Sequence, residues 1–106
     1  MQFLGSALAN WVVGELLKSY WHTGRPAPFS FYRDKDQKEI DLLIVQDGVA
    51  YPLEIKKTAA PGKEDIRHFA GIERLGLSVG PGGVICLVEQ SLPISATVQS
   101  IPVWAI

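Results

Sequence analysis

Apolar residues recur through the opening segment FLGSALANWVVGELLKSYW at Leu4, Ala7, Leu8, Trp11, Val12, Leu16 and Tyr20. That spacing predicts an amphipathic helix, and Gly24 and Pro26 in HTGRPAP predict its end. Glu15 follows Trp11 and Val12 by four and three positions, which directs its carboxylate toward the same apolar face. Downstream the period shortens to two. FSFYR reads as a strand, DKDQ as a polar turn, EIDLLIV as a second strand, QDG as a tight turn and VAYPLEIK as a third strand. TAAPGKED is a loop. EDIRHFAGIERLG then predicts a second helix with Ile66, Phe69, Ala70, Ile72 and Leu75 as its packing stripe, stopped by Gly76. VGPGG is a turn, VICLVE a buried strand, QSLPISATVQS a connector and IPVWAI a last short strand. The predicted order, α-β-β-β-α-β-β, is that of an α/β domain with a mixed sheet flanked by helices. No internal repeat divides it, so residues 1–106 are expected to form one domain.

Composition narrows the picture a little. A hydrophobic fraction of 47% with 20% charged residues is that of a globular chain. No run approaches the roughly 18 apolar residues of a membrane span, and no secretion signal is visible. The lone Cys86, within GGVICLVE, has no partner for an internal disulfide, which points to the cytoplasm and to a buried small hydrophobe. A net charge of −1 gives no global signal for nucleic acid, but the charge is unevenly placed. Nine of the ten Lys and Arg residues lie between Lys18 and Arg67, whereas Glu89 is the single charged residue from Leu75 to Ile106. A final third so poor in charge is either core or a surface that a partner covers.

The hairpin EIDLLIVQDGVAYPLEIKK, Glu39 to Lys57, carries the candidate chemistry. Alternation places Asp41, Leu43 and Val45 on one face of their strand, and Glu54 and Lys56 share a face of the next. A turn centred on Asp47-Gly48 brings Asp41 opposite Glu54. Two carboxylates on neighbouring strands repel unless something positive lies between them. A hard divalent cation such as Mg²⁺ answers that need with carboxylate oxygens and water, and such a site suits phosphodiester hydrolysis. A solvated sheet face, alternating apolar and charged residues, is the competing explanation.

These residues resemble the motif of the PD-(D/E)XK nuclease superfamily: a helix acid at Glu15, then Asp41, then Glu54-Ile55-Lys56 one hairpin later. More narrowly, the chain is similar to the C-terminal domain of unknown function that follows the ATPase module in many predicted bacterial and archaeal AAA+ proteins. The matching passages are GSALANWVVGELLKSY, FYRDKDQKEIDLLIVQDGVAYPLEIKKTAAP and SIPVWAI. The resemblance implies a restriction-endonuclease-like αβββαβ core, with Asp41, Glu54 and the Ile55 carbonyl as ligands of Mg²⁺ or Mn²⁺. It also implies that Lys56 is the motif lysine and that Glu15 is the helix acid reaching the metal through water. Two departures stand out: Ile40 replaces the proline preferred in the signature, and the second helix lacks a Gln-x-x-x-Tyr element. PGKED has a Gly-Lys pair without the rest of a phosphate loop, so no ATPase module is expected within these residues.

Two functions follow from this as expectations. The first is a metal-dependent nuclease-like domain acting on DNA or another nucleic acid, with Lys57, Lys63 and Arg67 as phosphate contacts. The second is a non-catalytic accessory domain of an ATPase system that keeps the fold. His22 and His68 are expected to be surface or half-buried residues, and Trp11, Trp21 and Trp104 core or interface anchors. The closing IPVWAI, as an edge strand, predicts a homodimer.

Overall fold

The computed structural model describes residues 7–33 and 39–106; of Arg33 and Glu39 it describes the backbone. The expected turn DKDQ and the Leu4 position of the helical stripe lie outside these residues. The chain forms helix α1 (Ala7–His22) and strands β1 (Phe29–Arg33), β2 (Glu39–Gln46) and β3 (Val49–Ile55). Two 3-10 segments follow, Lys63–Ile66 and Phe69–Leu75, and then β4 (Ser78–Val79), β5 (Gly82–Cys86) and β6 (Val98–Pro102). The fold is α/β, built on an open mixed sheet in the order β1-β2-β3-β5-β6, with the short β4 pairing β3. β2 pairs antiparallel with both β1 and β3, whereas β4 and β5 pair β3 in parallel and β6 pairs β5 in parallel.

Asp47 and Gly48 turn the β2–β3 hairpin with φ of 55° and 79°. Two positive φ values in a two-residue loop are what the right-handed twist of the flanking strands requires, and Asp-Gly supplies them cheaply. β3 also accommodates a proline in the middle of the sheet. β4 pairs β3 at Val49 and Ala50, and β5 takes over at Leu53. Pro52 falls between the two partners, where the missing N–H breaks no ladder bond.

The sheet is covered on both faces. α1 lays Ala9, Val12 and Val13 on Leu42, Ile55 and Ile85. The 3-10 segments set Phe69 and Ile72 among Leu43, Ala50, Val84 and Cys86 on the opposite face. Cys86 is fully buried, as its apolar surroundings in the sequence predict.

Three expectations need correction. The buried face of α1 is rotated from the predicted stripe: Val13 and Ala9 are inside, whereas Trp11 is 50% exposed. The predicted second α-helix is two 3-10 segments. Its inward residues Ile66, Phe69 and Ile72 recur every three positions, the repeat of a 3-10 helix, while Ala70 and Leu75 face outward. Finally, only Ile101 and Pro102 of IPVWAI are in a strand, and Val103–Ala105 wind into a 3-10 turn. The outer edge of β6 is occupied by its own connector. Ser100 N–H donates to the Leu92 carbonyl, Ile94 N–H donates to the Val98 carbonyl, and Pro93 bridges Gln99.

Two glycines separate packing from propensity. A Cβ on Gly82 would lie 2.7 Å from the Pro52 carbonyl oxygen, which is backbone and cannot yield. Gly82→Ala is therefore expected to destabilise by about 1–3 kcal/mol. Gly14 lies in α1 with open space around its Cα, so Gly14→Ala is expected to stabilise by up to about 1 kcal/mol. Urea unfolding followed by circular dichroism checks both signs.

Candidate metal centre

β2 contains a bulge at the residue the motif depends on. Ser30 pairs with Leu43 and Tyr32 with Ile40, so β2 spends three residues where β1 spends two. The extra residue falls at Asp41–Leu42. Strict alternation would put Ile40 with Leu42 and Ile44; instead Ile40 joins the cluster of Leu43, while Leu42 and Ile44 pack toward α1. A bulge of this kind redirects a side chain and ends regular pairing.

Regular pairing of β2 with β3 does end there. The ladder runs from Gln46↔Val49 to Leu42↔Leu53. At the next step the side chains replace backbone oxygens as acceptors. Asp41 N–H donates to Glu54 Oε1 at 3.2 Å, and Ile55 N–H donates to Asp41 Oδ2 at 2.9 Å. Each carboxylate thus accepts a backbone N–H of the other strand, and the two acids are held side by side. Lys56 N–H turns the other way, to the Ile85 carbonyl of β5 at 3.0 Å. Because backbone groups alternate sides along a strand, this leaves Ile55 facing β2, and in extended backbone its carbonyl opens on the same side as its N–H.

The arrangement is electrostatically uncomfortable. Glu54 is only 8% exposed. Burial first, and then the charge of Asp41, push its pKa from 4.5 up to about 8; Asp65 adds to the rise. The Asp41 N–H bond and the Lys56 ammonium oppose it without prevailing. The cost arises from two negative charges in a poorly solvated place, and a divalent cation between them would offset it. The donors on offer, two carboxylates and a carbonyl, are hard oxygen ligands of the kind Mg²⁺ and Mn²⁺ take, with water completing the shell. A carboxylate has about four lone-pair sites, so N–H bonds and a metal ion can share it. The residues present fit the ion.

Asp41, Glu54, Ile55 and Lys56 are therefore brought together as their spacing predicts. Glu15 is not. Its Oε1 pairs with Lys18 Nζ at 3.3 Å, one helical turn along α1. Among the described residues, no three His, Cys, Asp or Glu side chains assemble into a metal-holding group. Rotation of the buried face of α1 toward Val13 carries Glu15 to its margin. Lys57, Lys63 and Arg67 are exposed beyond the motif, and Arg67 Nη1 donates to the Glu64 carbonyl at 2.7 Å. His22 is exposed at the end of α1 and His68 is half-buried between the 3-10 segments. Asp65 is a contributor that lies outside the sequence motif. Its Oδ2 accepts the Gly62 N–H at 2.9 Å, and its charge reaches Glu54.

The chain belongs to the family described as a domain of unknown function, DUF4143, whose profile matches residues 4–106. No curated protein and no solved structure matches it. No helix among the described residues is long and apolar enough to cross a membrane.

The raised pKa of Glu54 gives stability a definite pH dependence. Between pH 4.5 and about 8 the folded chain keeps a proton on Glu54 that the unfolded chain has released. Raising pH through that window favours unfolding. In the absence of divalent ions the melting temperature is expected to fall across it. Glu54→Gln, which keeps an acceptor and cannot ionise, is expected to flatten the profile and to exceed wild type in stability at pH 8. A calorimetric melting series from pH 4.5 to 8.5 on both proteins checks this.

Proposed function

We propose that this domain is a PD-(D/E)XK-type, metal-dependent phosphodiesterase acting on DNA or another nucleic acid, with a restriction-endonuclease-like core. The observation that carries the proposal is the coupled pair Asp41–Glu54, with Lys56 two residues further along β3. Asp41, Glu54 and the Ile55 carbonyl would hold Mg²⁺ or Mn²⁺. The ion supplies Lewis-acid stabilisation of charge developing on the phosphoryl oxygens. The chain does the rest. The two carboxylates fix the position of the site at the frayed end of β2–β3, and Lys56, exposed beside Glu54, balances phosphate charge and orients the attacking water. Lys57 and Lys63 offer the sequence-independent phosphate contacts. Because ligation requires Glu54 to lose its proton, metal affinity rises with pH until about 8.

A second function has its own support. Glu15 is engaged by Lys18, and the Asp41–Glu54 clasp is also a competent structural tie between strands. Six of the ten large hydrophobics that are exposed among the described residues lie from Leu75 onward: Leu75, Val79, Leu87, Leu92, Trp104 and Ile106. Those features suit an accessory module of an ATPase system, or a homodimer, that keeps the fold without the chemistry.

Plasmid, linear and single-stranded DNA incubated with Mg²⁺ or Mn²⁺ separates the two. Cleavage is expected from wild type, with a loss of about 100-fold or more in Asp41→Ala and in Lys56→Ala. Wild-type activity no greater than that of Asp41→Ala would leave the accessory role.

A further inference from the structure

The acid pair lies in a row of residues crossing one end of the sheet, and an exposed aromatic ring stands toward each end of that row. On one side is Phe31 of β1. It faces the Asp41–Leu42 bulge, because its neighbours Ser30 and Tyr32 pair with Leu43 and Ile40, and it is 42% exposed. On the other side, β3, β5 and β6 run parallel, so their C-terminal ends share the end of the sheet that holds Glu54 and Lys56. Ile55 aligns with Ile85, and Cys86 with Pro102. Trp104 follows Pro102 by two residues and is 59% exposed.

Strand spacing sets the scale. Neighbouring strands lie about 4.8 Å apart, so β6 is roughly 10 Å from β3. Two residues of chain carry Trp104 at most about 7 Å beyond Pro102. Lys56 and Lys57 are exposed just beyond Glu54 at the end of β3. The loop bearing Lys57 is tied to the end of β5 by the Leu87 N–H bond to the Thr58 carbonyl at 2.8 Å.

A duplex keeps its base faces stacked inside and presents phosphates outward, which leaves exposed rings nothing to bind. A single strand offers both, and cations along the backbone with rings for the bases are the means by which proteins hold it. Resting on the phosphodiesterase proposal, we infer that the site takes single-stranded nucleic acid, with Trp104 stacking a base on one side of the scissile phosphate and Phe31 stacking one on the other.

The test uses the Trp11→Phe, Trp21→Phe variant, in which Trp104 is the remaining tryptophan of the three. Its fluorescence is titrated with an oligothymidylate and with a duplex of equal length, in EDTA and then in Mg²⁺. Saturable quenching by the single strand, and little by the duplex, is expected. In the otherwise wild-type chain, Trp104→Ala and Phe31→Ala should each weaken single-strand binding about tenfold, whereas Trp104→Phe should retain most of it. Equal quenching by duplex, or unchanged affinity in a folded Trp104→Ala protein, overturns the inference. Cleavage that shows no preference for single strands and ignores Trp104 would overturn it while leaving the phosphodiesterase intact. Single-strand-specific quenching with no cleavage of any substrate would sustain the stacking surface and remove the hydrolytic function.

Discussion

At the frayed end of the β2–β3 hairpin, two carboxylates take over as acceptors where the backbone ladder stops. Asp41 accepts from Ile55 and Glu54 from Asp41, across the same pair of strands. This exchange satisfies backbone donors, but it forces two acids together where water is scarce. The result is a Glu54 that holds its proton to about pH 8. A neutral or apolar pair would tie the strands at lower electrostatic cost, and a dication between the acids would offset that cost.

The rest of the fold supports that end of the sheet. α1 packs on Leu42 and Ile55, the immediate neighbours of the acids, and the 3-10 segments cover the opposite face through Phe69 and Ile72. Pro52 marks where β3 passes from β4 to β5, after which three parallel strands finish together beside Lys56. Parallel strands ending side by side gather loops and strand-end residues in one place, the usual location of ligand sites in open α/β sheets. Lys56, Lys57 and Trp104 follow these strand ends for that topological reason.

Much of this was legible in the sequence. Asp47-Gly48 fixed the hairpin register, and the register put Asp41 opposite Glu54 without further information. The three hairpin-region strands fall where alternation places them. What could not be read came from tertiary packing. The β2 bulge is a mismatch between two strands, visible only once Ser30 and Tyr32 have chosen partners. Helical periodicity could not choose between Trp11 and Val13 as the centre of the buried stripe of α1, and that choice decides where Glu15 points. Ile66, Phe69 and Ile72 fit both an α-helical face and a 3-10 row; the inward packing of all three, with Ala70 left outside, resolves it.

The Asp41–Glu54 clasp either binds a dication or only ties two strands. Isothermal calorimetry of Mn²⁺ binding at pH 8 asks this directly, comparing wild type with the near-isosteric Asp41→Asn and Glu54→Gln. One saturable site in wild type, lost in both variants while their folds persist, is the predicted result. Binding that is absent from wild type, or equal in all three proteins, would contradict it.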